Sequence, residues 1–457
     1  MNGEKKFSLI TSIVIGILLV SMVCLCAIYL FNIEGTDIYD LSKEDVQVIK
    51  SGNARVAYSK NLDDSYILPD KICICSSIVD DMVLIGFDSQ MNSLYGTIKL
   101  LYEDFFTDEN LITKLEKEDG QSSYLYSLDS NGLLIVWDNP IPLSAIYYFS
   151  FPNNINEDIP DTIVRKMYFY GETNNYTCVI VDENGDFLIY RKSFGDAEAN
   201  PYYNMISNVS TIGMVNFKFG FEYKETSNIF EPIQDDAIIT EKVQLGGAIA
   251  IRVSQSEIAD NTSLFENLDV NLIKATSYVS EDNTLVYMIE GKSIYIDDSG
   301  NVTYTSEGNN SLSLSSLINL KTNYDLRDYL GACVVLINKM NLDFGDAVLY
   351  LRNVYINEGY AAISFGLRYE NINVQMYNNP TIMLFEFEND RLKRVEFHCM
   401  EITGTYDYVF IEQFDLLVKS SLLSDTVNPG VAYLLDEQSK SFPVWVNVIK
   451  RDKEASR

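Results

Sequence analysis

The sequence predicts a strand-rich α+β fold, with one amino-terminal transmembrane helix followed by tandem extracytoplasmic domains of antiparallel sheet with few helices. Three observations predict it. Residues 7–31 contain neither charge nor proline. The 31 Tyr and 23 Phe are gathered with β-branched residues into short runs broken by Asp, Asn and Gly. One long segment, residues 323–341, repeats its apolar positions at three- and four-residue intervals.

Residues 1–6 read as a polar cytoplasmic stub. A helix over residues 7–31 would measure about 37 Å against a hydrocarbon layer of about 30 Å, enough to cross with some tilt. Lys5 and Lys6 precede this segment, whereas Glu34, Asp37 and Asp40 follow it, which places the stub inside and the rest of the chain outside. A cleaved signal peptide would have a shorter apolar core of about 7–15 residues. Val23 before Cys24 and Leu25 before Cys26 do not fit a lipoprotein signal, which needs a small residue there. The expectation is a single-pass signal anchor in the cell membrane, with the lipid bilayer as its first partner. Ser8, Ser12 and Gly16 recur every four residues, aligning small side chains on a face that another membrane helix could approach closely. A helix that simply faces lipid explains the same residues.

Beyond the anchor we expect a juxtamembrane linker at 32–54, a β-rich domain at 55–240, an α+β region at 241–449 and a polar tail at 450–457. The net charge of −31 repels nucleic acid and anionic headgroups. The five cysteines outside the anchor are odd in number and do not form a dense disulfide scaffold. Cys73 and Cys75 alternate with isoleucines and read as packed thiols on one strand face.

Residues 124–137, 176–190 and 292–305 look like hairpins of one kind. In each, an Asp and a Gly separate two apolar runs, and Gly132, Gly185 and Gly300 could supply the positive φ of a tight turn. The second interval between these glycines is about twice the first, so residues 55–240 could also be read as a propeller-like array, although whole blades show no self-similarity. Later, the helix of residues 323–341, with Asn323 or Asp325 as its cap, precedes strands at 347–356, 361–368, 382–387 and 392–397. A second helix is expected at 412–423, and a hairpin at 431–449 whose second strand opens on Pro443.

Chemical signatures are sparse. The single histidine, His398, adjoins Cys399, but strand neighbours point to opposite faces and make a poor nucleophile–base pair. No Ser-x-x-Lys, Gly-x-Ser-x-Gly or phosphate-cradling glycine loop occurs. Asp182, Asn184 and Asp186 match the first ligand positions of a calcium loop. Phe187 then replaces the expected Gly and Ser193 the expected Glu, so a polar hairpin turn is the preferred reading. We therefore expect no enzyme activity, no cofactor and no metal.

Residues 276–305, TSYVSEDNTLVYMIEGKSIYIDDSGNVTYT, are followed by the helix, by YAAISFGLRYENINVQMYNNPTIMLFEFENDRLKRVEF and by VAYLLDEQSKSFPVW with Pro443, Val444 and Trp445. This succession, with one amino-terminal anchor, resembles the YycH/YycI family of membrane-anchored regulators of a Gram-positive cell-wall two-component system. The resemblance covers the anchor and about residues 245–449, rests on hydrophobic patterns, and is poor over 55–240. It implies a regulator or sensor that works by protein contact, with a membrane-embedded histidine kinase or a related regulator as partner and no catalytic residues. Two other classes compete: a cell-surface module binding sugar or peptide through Trp137 and exposed tyrosines, and an envelope hydrolase built on carboxylates alone.

Overall fold

The computed structural model describes residues 62–75, 81–84, 88–107, 112–115, 132–152, 159, 162–195, 200–207, 209, 214–219, 237–239, 247–252, 255–319, 324–376, 381–408, 411, 423–435, 440–441 and 443–450. All lie within one compact unit, residues 54–457. The anchor segment with Ser8, Ser12 and Gly16 lies outside the described residues. Among the described residues no helix is long and apolar enough to cross a membrane.

Among the described residues, the first half forms one sheet. Strands β1 (Lys71–Cys75), β2 (Met82–Leu84), β3 (Ile112–Leu115), β4 (Gly132–Pro142), β5 (Ile163–Glu172), β6 (Asn175–Asp182), β7 (Phe187–Ser193), β8 (Val215–Phe219) and β9 (Ala237–Ile239) pair antiparallel in the order β3-β7-β6-β5-β4-β1-β2-β8-β9. Helices α1 (Asp88–Thr107) and α2 (Leu143–Ser150) interrupt them. α1 buries Met91, Tyr95, Ile98, Leu101, Tyr102 and Phe106 along one stripe, and every residue of α2 is buried. A single nine-stranded sheet replaces the propeller reading: consecutive hairpins go on adding to one edge instead of closing into separate blades.

Among the described residues, most strands of the second half form an eleven-stranded sheet. It contains β11 (Thr276–Val279), β12 (Leu285–Ile289), β13 (Lys292–Ile296), β14 (Asn301–Ser306), β15 (Val348–Asn357), β16 (Tyr360–Tyr369), β17 (Ile372–Met376), β18 (Met383–Glu388), β19 (Arg391–His398), β21 (Leu423–Leu435) and β23 (Pro443–Lys450). The path runs β11-β12-β13-β14-β19-β18-β16-β17-β21-β23, with β15 alongside β16. Only the β17–β21 pairing is parallel among these. β10 (Gly247–Arg252) joins β20 (Glu401–Tyr408) and β22 (Lys440–Ser441) in a small third sheet. Residues 412–422 of the expected second helix lie outside the described residues, and Leu423 opens β21.

Local chemistry explains the elements that sequence reading located. In the β6–β7 turn, the Asp182 carboxylate accepts the Asn184 and Asp186 amides at 2.9 and 2.7 Å, and Gly185 takes φ +77°. The β13–β14 turn is built alike: Asp297 accepts the Asn301 amide at 2.8 Å and Gly300 takes φ +79°. Gly132 differs from its expected role. It opens β4, where a Cβ would stand 2.6 Å from the Tyr168 hydroxyl, so it is small for close approach and not for a positive φ; residues 124–131 of that expected hairpin lie outside the described residues.

Helix α3 (Leu326–Met340) begins on Asp325, whose carboxylate accepts the Asp328 amide while the Asp328 carboxylate accepts the Asp325 amide. This reciprocal cap satisfies two otherwise unpaired donors. Leu330, Cys333, Val334 and Ile337 then face the core, and Asn341 closes the helix at φ +49°. Asp325→Ala is expected to lower unfolding free energy by about 1 kcal/mol. Urea denaturation would measure it, and an unchanged midpoint would remove the cap from the account.

Candidate functional site

The most elaborate polar constellation among the described residues joins the two large sheets. It begins with a tight hairpin: Glu370 and Asn371, at φ +48° and +58°, connect β16 to β17 as a two-residue turn. That turn sets Arg368 directly opposite Asn373 in register. Cross-strand partners share a face, so both side chains reach the same target, Asp70, just ahead of β1.

Arg368 donates from Nη2 to Asp70 Oδ1 at 2.8 Å, from Nε to Asn373 Oδ1 at 2.9 Å and from Nη1 to the Leu68 carbonyl. Asn373 donates to Asp70 Oδ1 at 2.7 Å, and the Asp138 amide donates to Asp70 Oδ2 at 2.8 Å. Asn371 adds a bond to the Pro69 carbonyl at 3.1 Å. The Arg368 guanidinium also lies 4.0 Å from the Tyr350 ring centroid. Arg352 and Asn139 donate to the Tyr350 hydroxyl. Burial pushes that phenol above its usual range against the pull of both arginines, so it stays neutral.

Arg368 is only 2% exposed and Asp70 6%. Such a pair persists in a dry site because each charge is hydrogen-bonded on several sides. Both Asp70 oxygens are occupied by donors, which makes the constellation a rigid joint and gives it no free base. A second arginine strengthens the same contact. Arg327 of α3 donates to the Pro152 carbonyl at 2.6 Å and lies 5.4 Å from the Tyr148 ring centroid.

The residues singled out by sequence remain scattered. His398 is paired with Asn301 across β14–β19, and burial lowers its imidazole pKa against the pull of Asp297 and Glu396. Its Nδ1 is buried without a hydrogen-bond partner. Cys399 is a poor nucleophile, because burial pushes its thiol up to about 12. Cys73 and Cys75 are packed inside β1. The Asp182 carboxylate is engaged by the turn amides that define its hairpin. Among the described residues no cluster of three or more His, Cys, Asp or Glu is placed to hold a metal ion.

Trp137 drops out of the binding-module reading. Its ring is 2% exposed and its indole N–H donates to the Ile67 carbonyl at 2.9 Å, so it belongs to the core and is not a stacking platform. Sequence reasoning missed the Asp70–Arg368 joint entirely. The Glu370–Asn371 turn was its one local signal, since polar residues there interrupt two apolar runs.

Fold and site together define an α+β protein of two large sheets and one small one, the large sheets joined by a buried polar constellation, whose singled-out chemical residues do not converge on one centre. No family model and no curated protein sequence matches the chain. Among solved structures it is similar to the crystal structure of YycH from Bacillus subtilis, with a TM-score of 0.53 at 13% identity, covering 84% of this chain and 96% of that one. The chain therefore has a YycH-like fold. That likeness extends well beyond residues 245–449 into the half where the sequence pattern is poor, because topology survives substitution that erases local patterns.

Proposed function

We propose that this protein is a non-enzymatic regulator of a cell-envelope two-component system, held in the membrane by residues 7–31 and acting through protein contact on a histidine kinase or its membrane neighbours. The observation that carries this reading is the YycH-like fold over 84% of the chain. The uncharged segment behind Lys5 and Lys6 supports the anchor and its orientation. The buried joint suits a body that passes force or position to its anchor, because an ion pair hydrogen-bonded on several sides resists separation of the two sheets. Burial of Trp137 weakens the sugar-binding alternative.

Expression of the full chain with a candidate kinase tests the reading. Deletion of residues 2–31 is expected to move the protein from membrane to soluble fractions. Gly16→Leu should lower kinase co-purification several-fold by holding the helices apart. Protease added to intact cells should degrade the carboxyl-terminal region. Co-purification that survives deletion of residues 2–31 would locate the contact elsewhere, and a protease-shielded carboxyl-terminal region would reverse the topology.

A further inference from the structure

The β11–β14 meander has two unlike faces. Rows such as Ile294–Tyr304–Val395 and Ile296–Val302–Phe397 are buried in the core. The opposite face carries the row Tyr278–Val286–Tyr295–Thr303. Tyr278 is 50% exposed and Tyr295 39%, yet Val286 between them is only 2% exposed. Val286 is thus the apolar floor between two aromatic side chains, which stand two strand spacings apart, about 10 Å.

The same row leads into two acidic turns. Side chains two residues apart share a strand face, so Tyr278 points with Ser280 and Tyr295 with Asp297. The turns at 280–284 and 297–300 lie at the same end of the meander and contribute Asp282 and Asp297 to a groove of about 370 Å³ with the two tyrosines. The Ser280 hydroxyl donates to the Asp282 carboxylate and holds it below its usual pKa range. No lining residue is basic, so neither carboxylate is neutralised from within the groove.

β11 is also a sheet edge. It pairs with β12, and among the described residues its other edge has no partner. All four of its residues are exposed, with Val279 at 63%, and nearby Ile273 reaches 88%. A bare edge strand is a template for another extended chain unless charge or proline blunts it, and β11, Thr-Ser-Tyr-Val, has neither.

We propose that this edge and groove bind an extended basic segment of a partner protein, which adds a strand to β11 and reaches a lysine or arginine over Tyr278 toward Tyr295 and the carboxylates of Asp282 and Asp297. Main-chain bonds supply affinity, while the aromatic faces and carboxylates select cations. This goes beyond the regulatory role and does not depend on it: the groove is built from described residues and would act whatever the anchor contacts.

The test titrates the full chain in detergent with a short alternating lysine–valine peptide, and with its glutamate–valine counterpart, at physiological ionic strength. The lysine peptide is expected to bind and the glutamate peptide not. Tyr278→Ala and Tyr295→Ala should each weaken binding about tenfold, in the range of a partly desolvated cation–π contact. Glu358→Gln, an exposed charge in the β15–β16 turn, should leave binding unchanged. Affinity lost equally in Glu358→Gln, or retained in both tyrosine variants, would mean diffuse attraction to an acidic protein and overturn the site. Competition by N-acetyl-argininamide as effective as the peptide would overturn the added strand. Failure of kinase co-purification, by contrast, would leave this result untouched.

Discussion

Asp70→Ala is expected to lower the unfolding free energy by about 3–5 kcal/mol, the cost of leaving one member of a buried ion pair without its partner. The substitution strips Arg368 of its charge partner and Asn373 of its acceptor, in a site where water cannot replace them. It also orphans the Asp138 amide on β4. The effect measures unpaired charge and not the pair's net contribution, so the double variant Asp70→Leu with Arg368→Met should recover much of the loss. Urea denaturation with both variants decides the matter. A loss below ~1 kcal/mol for Asp70→Ala would show that water reaches the joint, and the two sheets would then no longer be welded there.

The second large effect is expected at Gly345, between α3 and β15. Its φ is +68°, and a Cβ would stand 2.2 Å from the Ile402 carbonyl oxygen. That oxygen accepts the Asp346 amide at 2.7 Å, and the Ile402 amide in turn donates to the Phe344 carbonyl at 3.0 Å. A methyl group therefore strikes backbone that is pinned on both sides. Gly345→Ala should cost about 1–2 kcal/mol for left-handed strain and a further ~1–3 kcal/mol for displaced hydrogen bonds. Gly308→Ala is the matched control: its φ is +58°, but nothing lies within 4 Å of the added carbon. Equal losses at the two sites would remove close approach from the explanation.

How much was legible beforehand varies with the range of the interaction. The hairpins at 176–190 and 292–305 announce themselves because Asp182 and Asp297 each bond amides two to four residues away. Helix α3 is legible for the same reason, since its capping box spans three residues and its apolar stripe repeats within one segment. Gly132 misled because a small residue can serve a turn or a tight contact, and the Tyr168 hydroxyl that distinguishes them sits on another strand. Trp137 misled likewise: an indole can face solvent or core, and the Ile67 carbonyl that receives its N–H lies in a distant segment.

The amino-acid order alone determined the alternation of strands and turns, the position and cap of α3, the acidic surface and the uncharged segment at 7–31, because each depends on neighbours or on composition. Tertiary structure decided that the first half is one sheet and not a set of blades. It also joined Asp70 to Arg368 and Asn373, and left one face of the β11–β14 meander uncovered. Those outcomes turn on which groups lose water together, and desolvation is set by what packs overhead, a property no local stretch of chain carries.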